Sequence, residues 1–343
     1  MREDFNRYSR QILFQPIGEE GQERLSRGYA LIVGCGAIGT TSASILARAG
    51  VGHLRIIDRD FLEESNLQRQ DLFDEGDLKE GIPKAVAAEK KLQRINSHLH
   101  IEGIAADINP TNIEELAHGA HLILDCTDNF ETRFLINDYS LKHRVPWIYA
   151  ACLGSQGILM DILPGETPCL RCLLETTPPT ASLPTCETAG ILGPIAKVVG
   201  ALQAAEAVKA LTGHRDTLIR DLISIDLWQG TFQRLNVSGA RSHQCPACRL
   251  GRYDFLNAKT GVIITSPCGT NSIQIVPTKG EKIGLEDLAK RLEKVGAVSY
   301  NPFLLRFRVK SLEMVVFPDG RTIVQGTQDQ ALAKDLYSKY IGM

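Results

Sequence analysis

The chain has 343 residues, 43% hydrophobic and 23% charged, and its 38 basic and 40 acidic side chains leave a formal charge of −2. That length suits about two globular domains, and the near-neutral balance argues against nucleic acid or an anionic membrane as the main partner. No apolar run approaches the ~20 residues that cross a bilayer, and "MREDFNRYSRQ" lacks the apolar core of a secretion signal.

Nine cysteines in such a chain point to a reducing, cytoplasmic compartment, where cysteines serve metals or chemistry more often than disulfides. In chain order, strand-like "YALIVG" leads into "TTSASILARAG", which reads as a helix, and then into the strand "HLRIID". This βαβ unit opens a parallel nucleotide-binding sheet. Between its first two elements lies "GCGAIG", in which Gly34, Gly36 and Gly39 make the G-x-G-x-x-G spacing. The first glycine permits the tight turn, the second lets backbone approach phosphate, and the third lets the helix pack closely. The helix start offers free N–H groups to an anion. Asp58 ends the second strand, about 20 residues on, where an acid can hold ribose hydroxyls. To this point NAD and ATP fit equally well, and a plain ligand-free turn is the remaining reading.

The next segment separates the two nucleotides. "DRDFLEESNLQRQDLF" brings Asp60, Asn66, Arg69 and Gln70. A dehydrogenase needs no dense cationic and amide set here, whereas a triphosphate needs cations to neutralise its phosphoryl oxygens. "PKAVAAEKKLQRI" has helical periodicity and puts Lys84 in its first turn, where a cation opposes the helix dipole. Lys84 either meets a bound anion or is a surface lysine.

"HIEGIAA" and "HLILDC" read as strands around the helical "TNIEELAHG". "LILDCTDNFETR" places Asp125 and Asp128 at the C-terminal end of a strand, the ligand edge of an open α/β sheet. A carboxylate there suits Mg²⁺ beside phosphates; alternatively Asp128 caps the following helix. "VPWIYAAC" and "GILMDILP" continue the sheet. "GILGPIAKVVGALQAAEAVKALTG" is a long helix, apolar nearly all round and closed by Gly213.

"CLRC" and "CPAC" give Cys169, Cys172, Cys245 and Cys248. Two C-x-x-C pairs fit a closed tetrahedral Cys₄ zinc site, structural because no position is left open. Redox dithiols are the competing reading. Cys186, in the loop "ASLPTCETAGILGP", is either an inert thiol or one whose thiolate is favoured by a nearby helix start. Cys35 and Cys126 sit at apolar strand ends as packing residues; Cys152 and Cys268 have no assignment. After Cys248 the rhythm changes. "SIQIVP", "FLLRFRV", "LEMVVFP" and "RTIVQG" alternate as strands, the last two meeting at Asp319-Gly320, with helices at "GLEDLAKRLEKVG" and "DQALAKDLYSKYIG".

From about residue 7 to 249 these pieces resemble the ThiF, MoeB and HesA family of ubiquitin-activating-type sulfur-carrier adenylyltransferases. "RYSRQ", "GCGAIG", "DRD", "SNLQRQ", "PKA", "DCTDN", "PCLRC", "TCETAG" and "CPAC" occur in the family's order. The resemblance implies an α/β, Rossmann-like, mostly parallel sheet with flanking helices over 1–252, an ATP-binding adenylyltransferase domain; the strands and helices after Cys248 read, from their own rhythm, as a small α+β domain over 253–343. It implies that Asp58 holds the ATP ribose, that Arg69, Lys84 and Arg10 hold phosphates with Asp60, Asn66, Gln70 and Asn129 lining the nucleotide, and that Asp128 serves magnesium. It gives zinc to the four paired cysteines and sulfur handling to Cys186. The family is homodimeric, the arm carrying Arg10 reaching into the partner's site. The implied partners are a ubiquitin-like carrier ending in Gly-Gly and a sulfur donor such as a cysteine desulfurase.

The C-terminal domain departs from the minimal family pattern. "SPCGTNS" around Cys268 makes no convincing rhodanese loop. The ending, with "FPDGRTIVQGTQDQA" and "YSKYIG", is similar to the longer ThiF-type proteins of Gram-positive bacteria. That tilts the reading toward thiamine (thiazole) synthesis, with the same chemistry on a molybdopterin-synthase small subunit as the alternative. An NAD-dependent oxidoreductase with structural zinc is a second alternative, which leaves "SNLQRQ" and "DCTDN" without a task. A catalytically silent binding subunit is a third, against which Arg69, Lys84 and Asp128 stand together.

Overall fold

A computed structural model describes residues 3–174, 189–258, 263–265, 271–276, 283–309 and 311–341. The chain divides into two units, Met1–Ala258 and Lys259–Met343.

The first unit is built on an eight-stranded sheet. Its strands are β1 (Tyr29–Val33), β2 (His53–Ile57), β3 (His100–Ile104), β4 (Leu122–Asp125), β5 (Trp147–Leu153), β6 (Gln156–Ile162), β7 (Leu222–Asp226) and β8 (Thr231–Leu235). Their order is β3-β2-β1-β4-β5-β6-β7-β8. The first five in that order pair in parallel, and β6, β7 and β8 join antiparallel. Every residue of β1 and β4 is buried, as expected of central strands covered on both faces. The strand order reverses beside β1, between β2 and β4. This puts the carboxyl ends of β1 and β4 at the crevice where open α/β sheets bind ligands.

The helix Gly193–Thr212 follows the expected apolar run. Pro194 lies in its first turn, and Gly213 closes it in the left-handed conformation (φ 91°). It packs on the helix Ala37–Ala49 as well as on β5 and β6, which accounts for apolar residues on all its sides. The close approach needs Gly200, where a Cβ would lie 2.8 Å from the Thr41 Cβ. Ser42 then donates to the Gly200 carbonyl and to Gln203 Oε1.

Two local expectations change. "TNIEELAHG" forms one helical turn, Ile113–Leu116, not a full helix. Asn109 and Asn112 engage nearby backbone N–H groups with their side chains, and this local bonding competes with helix propagation. β7 and β8 had no strand reading. β8 is exposed at every residue, so burial imposes no alternation on it.

The second unit carries the expected α+β pattern. Its sheet runs β11-β12-β13-β14-β10-β9, with β9 (Ile263–Thr265), β10 (Ser272–Val276), β11 (Ala297–Tyr300), β12 (Leu305–Val309), β13 (Leu312–Val316) and β14 (Thr322–Gln325), all antiparallel. The helices Leu285–Leu292 and Gln330–Tyr340 supply Leu288, Leu292 and Tyr337 to a core with Ile275, Phe307 and Met314. Gly320 (φ 82°) makes the turn between β13 and β14. Among the described residues no helix is long and apolar enough to cross a membrane.

One buried polar pair links the first sheet to its long helix. Asp161 on β6 and Glu206 on the Gly193–Thr212 helix both accept the Ile219 N–H at 3.0 Å. Burial, together with a hydrogen bond to Glu206, pushes the Asp161 carboxyl up to about 9. An unfolded aspartate titrates near ~3.9, so between these values the folded chain holds a proton that the unfolded chain has lost. This site's contribution is therefore full below about pH 4 and is lost as pH rises toward 9. Urea unfolding should show Asp161→Asn, which keeps a donor toward Glu206, losing less stability than wild type between pH 5.5 and 8.5. The difference should exceed ~1 kcal/mol. Identical pH slopes for the two proteins would contradict the assignment.

Candidate functional site

The loop after β1 is fixed by close backbone contacts. Gly34 turns the chain at φ 95°. A Cβ there would lie 2.6 Å from the Cys126 carbonyl oxygen, and one at Gly39 would lie 2.0 Å from the Gly34 carbonyl oxygen. Both glycines are pressed against main chain and leave no room for a side chain. Gly39 thus packs against the loop itself as well as bringing the helix close. Gly36 differs, because a Cβ there would meet only Gln70 Nε2, at 4.0 Å. Gly36 also caps the Ala37–Ala49 helix with no side-chain cap. The first N–H groups of that helix are left for an anion.

Asp58 ties this loop to the segment that follows β2. Its Oδ2 accepts the Cys35 N–H at 2.6 Å, and its Oδ1 accepts the Asp60 N–H at 2.7 Å. Burial raises the Asp58 carboxyl above its ordinary value and Asp60 adds to this, while Lys84 and the two N–H groups pull it back. The Lys84 N–H donates to the Asp60 carbonyl at 2.9 Å, and Lys84 Nζ lies 3.7 Å from Asp60 Oδ2. Pro83 precedes Lys84 and sets the start of the helix Lys84–Ile95. Lys84 is buried, with 7% of its surface exposed, so it is no ordinary surface lysine. Burial alone would pull its ammonium down, but the Asp60 and Asp58 carboxylates outweigh this and hold its pKa above the usual lysine value. A cation is therefore retained in a buried position beside the glycine loop.

The "SNLQRQ" segment forms a turn whose side chains divide between architecture and the crevice. Asn66 is buried, and its Oδ1 accepts the Glu63 N–H, completing a capping box around Glu64–Asn66. Arg69 is half-buried and donates from Nη1 to the Ser65 carbonyl at 2.6 Å. Gln70 is buried and faces Gly36, and its Oε1 has no hydrogen-bond partner among the described residues. The turn is seated against the start of the long helix: a Cβ at Gly193 would lie 3.2 Å from the Gln68 carbonyl oxygen.

After β4 the two aspartates separate. Asp125 is fully buried; its Oδ1 accepts both the Thr127 N–H and the Thr127 hydroxyl, and its Oδ2 lies 3.4 Å from Arg133 Nε. It braces the loop. Asp128 is exposed and accepts no hydrogen bond from a described residue. The helix Phe130–His143 is capped by Asn129, whose Oδ1 accepts the Thr132 N–H at 2.9 Å. Capping thus falls to Asn129 and leaves the Asp128 carboxylate available.

Three residues that bear on the site escaped the sequence reading. Arg133 is buried, donates from Nη2 to the Thr127 carbonyl at 2.6 Å and lies over the Tyr149 ring. Arg59 Nη1 meets Asp107 Oδ1 at 2.9 Å, and Asp60 and Asp128 help hold its guanidinium charged. Gln203 donates to the Asp125 carbonyl from the long helix. Arg59 and Arg133 lie within the quoted "DRD" and "DCTDNFETR". Their charge was the available signal, but their partners are defined only in three dimensions.

Arg10 is exposed in the short helix Ser9–Ile12. Cys35 and Cys126 are buried, and burial pushes both thiols well up. Cys186 and Cys268 lie outside the described residues.

The paired cysteines come together. Cys169 Sγ lies 3.8 Å from Cys172 Sγ and 3.6 Å from Cys245 Sγ, and Cys172 Sγ lies 3.5 Å from Cys248 Sγ. A tetrahedron with ~2.3 Å metal–sulfur bonds has sulfur–sulfur edges of ~3.8 Å, so the four donors fit one ion. Four sulfurs this close cannot all carry charge unless a cation joins them. A hydrogen bond from Cys169 draws Cys172 down, while Cys169 itself is pushed up.

A family model described as the ThiF family matches residues 8–247. The chain is 43% identical to the sulfur carrier protein ThiS adenylyltransferase of Bacillus subtilis (strain 168), over 98% of this chain and 99% of that protein. It is 36% identical to the sulfur carrier protein adenylyltransferase of Thermus thermophilus, over 72% of this chain and 92% of that protein. Its structure is similar to the crystal structure of E. coli MccB with ATP, with a TM-score of 0.62 and 27% identity, covering 71% of this chain and 74% of that one.

The glycines predict a separation of effects. Gly36→Ala, with an ordinary backbone conformation and open space, should hold its melting temperature within roughly 2 °C and weaken nucleotide binding at least ~10-fold. Gly39→Ala should lose stability outright. Calorimetry of both variants, with and without nucleotide, checks this. Undiminished nucleotide affinity in Gly36→Ala would remove the loop from the binding site.

Proposed function

The chain belongs to the ThiF family, and from that premise we propose that it transfers AMP from ATP to the terminal carboxylate of a ubiquitin-like sulfur-carrier protein ending in Gly-Gly. The product is an acyl-adenylate; attack of a sulfide-level sulfur nucleophile on its acyl carbon, with AMP as the leaving group, then gives a thiocarboxylate for thiazole synthesis. The observation that carries this reading is the likeness to the Bacillus subtilis ThiS adenylyltransferase, which runs through both units and not only the nucleotide-binding one. The dehydrogenase alternative falls with the family assignment.

In the reaction, a carrier carboxylate oxygen attacks the α-phosphorus of ATP and pyrophosphate leaves. A terminal carboxyl with a pKa near ~3.5 is already ionised at neutral pH, so no general base is required. Catalysis is then positioning and neutralisation of charge. The helix start at Gly36 and the Lys84 ammonium are the candidates for the phosphates, together with Arg69. The Gln70 oxygen, without a partner among the described residues, is a candidate acceptor for a donor group of the nucleotide. For Asp58, ribose binding requires exchange of one of its two N–H bonds, or sharing of an oxygen that already accepts one. Magnesium, when bound, neutralises phosphate oxygens; Asp128 is the residue to hold it, because its carboxylate is exposed while that of Asp125 is occupied. Zinc is the ion proposed for the four cysteines, whose all-thiolate set leaves no open position. Cys186 is proposed for sulfur transfer, with a cysteine desulfurase as a suitable donor. The working form is a cytoplasmic homodimer in which Arg10 reaches the partner's phosphates.

Two outcomes test this. Exchange of labelled pyrophosphate into ATP should require Mg²⁺ and a carrier with an intact Gly-Gly end. Lys84→Ala and Arg69→Ala should each slow it at least ~30-fold, about 2 kcal/mol, and Asp128→Ala should abolish it. Carrier-independent exchange, or near-wild-type exchange in Asp128→Ala, would defeat the assignment. Separately, elemental analysis should find one zinc per chain. Cys245→Ser should lose the metal and melt at a lower temperature, because metal binding here is part of the folding free energy. Metal-free wild-type protein, freshly purified under reducing conditions, would contradict the zinc assignment.

A further inference from the structure

At the opposite edge of the first sheet from the glycine loop, a second set of metal-ligating side chains converges. His53 and His100 are the first residues of β2 and β3 and are partners in the parallel ladder; Arg55 and Glu102 are the next such pair on the same face. The Glu102 carboxylate faces both imidazoles: Oε2 lies 2.9 Å from His53 Nε2, and Oε1 lies 3.3 Å from His100 Nε2. One ligand atom from each of the three lies within 4.8 Å of the other two. A tetrahedral ion with nitrogen and oxygen ligands at ~2.0–2.1 Å spaces them ~3.3 Å apart, so small side-chain adjustments bring all three to one centre.

The surroundings hold these donors in place. Tyr29 stacks on the His53 ring with centroids 3.9 Å apart and planes 15° from parallel. Arg55 donates from Nε to Glu102 Oε2 at 2.7 Å and from Nη1 to the Leu116 carbonyl at 2.8 Å. Arg55 can keep Oε2 while Oε1 binds an ion, the outer-shell arrangement that orients ligating carboxylates. The His100 side chain is 65% exposed, so one side of the cluster is open to water.

We propose that His53, His100 and Glu102 form a second metal site, distinct from the four cysteines. Its ligands are the two Nε2 atoms and Glu102 Oε1, with water in the remaining position. Two imidazoles and one carboxylate select a borderline divalent ion such as Zn²⁺ or Co²⁺ over Mg²⁺. The ion would fasten β3, an outermost strand of its sheet, to β2.

The test uses full-length protein already carrying zinc at its cysteines, titrated with Co²⁺ and followed by visible absorption. Wild type should take up one further equivalent, giving weak ligand-field bands without thiolate charge-transfer absorption. His100→Ala should bind it at least ~10-fold more weakly. His98→Ala, an exposed histidine nearby in sequence, should bind like wild type. None of the three proteins should differ in carrier-dependent pyrophosphate exchange. In parallel, excess Zn²⁺ should raise the melting temperature of wild type and His98→Ala but not of His100→Ala. Equal cobalt uptake by wild type and His100→Ala, or uptake accompanied only by thiolate charge-transfer bands, would overturn the site and leave an ion-paired surface network.

Discussion

The site depends on the two hydrogen bonds that Asp58 accepts from main chain. One holds the Cys35 N–H in the glycine loop, and the other holds the Asp60 N–H in the segment after β2. Asp60 in turn receives the Lys84 N–H through its carbonyl. One carboxylate thereby fixes the distance between an anion-ready helix start and a buried lysine. Backbone tightness does the rest. Gly34 against Cys126 and Gly39 against Gly34 leave no slack through which the loop could drift from the end of β4. Such pre-set geometry is what a reaction without a general base requires, because all of its acceleration must come from placement and electrostatics.

Charge is arranged in a related way. Acidic groups that brace the loops are occupied: Asp125 by Thr127 and Arg133, Asp107 by Arg59. Asp128 is exposed instead of spent on the helix cap. Lys84 keeps its proton despite burial because Asp60 and Asp58 flank it. A bound polyphosphate would meet a cation that folding has already desolvated, so less solvent reorganisation is left for the reaction step. The cysteine cluster belongs to the other end of this logic. Its four donors come from two turns distant in sequence, joined to a core that includes Phe134, Trp147 and Leu256.

Much of this was legible in the sequence wherever one physical demand dominated a residue. β1 and β4 are buried on both faces and read as apolar runs. The glycine spacing reports, at Gly34 and Gly39, contacts that exclude a Cβ; the cysteine pairs meet as one four-sulfur cluster; and β12 alternates because one of its faces meets a core. Legibility failed where partners are set only by the fold. β8 is fully exposed and carries no alternation. Asn66 and Asn129, proposed to line the nucleotide, also cap local structure with their side-chain oxygens, a second task set only by the fold. Arg59 and Arg133 were passed over because Asp107 and the Thr127 carbonyl become their neighbours only after folding. His53 and His100 lie 47 positions apart and meet only through the register of β2 on β3. Cys186, the residue read for sulfur handling, lies outside the described residues, so its chemistry rests on the family resemblance.

On the proposed function, the crevice at β1 and β4 activates a carrier carboxylate with AMP. Intact-mass spectrometry of a Gly-Gly carrier, incubated with the protein, Mg²⁺ and ATP in the absence of any sulfur donor, tests it most directly. The expected result is a carrier population carrying one adenylyl group, formed together with pyrophosphate, sensitive to hydroxylamine and absent when the terminal glycine is deleted. Unmodified carrier alongside release of ADP, or an adduct that survives deletion of the terminal glycine, would contradict it.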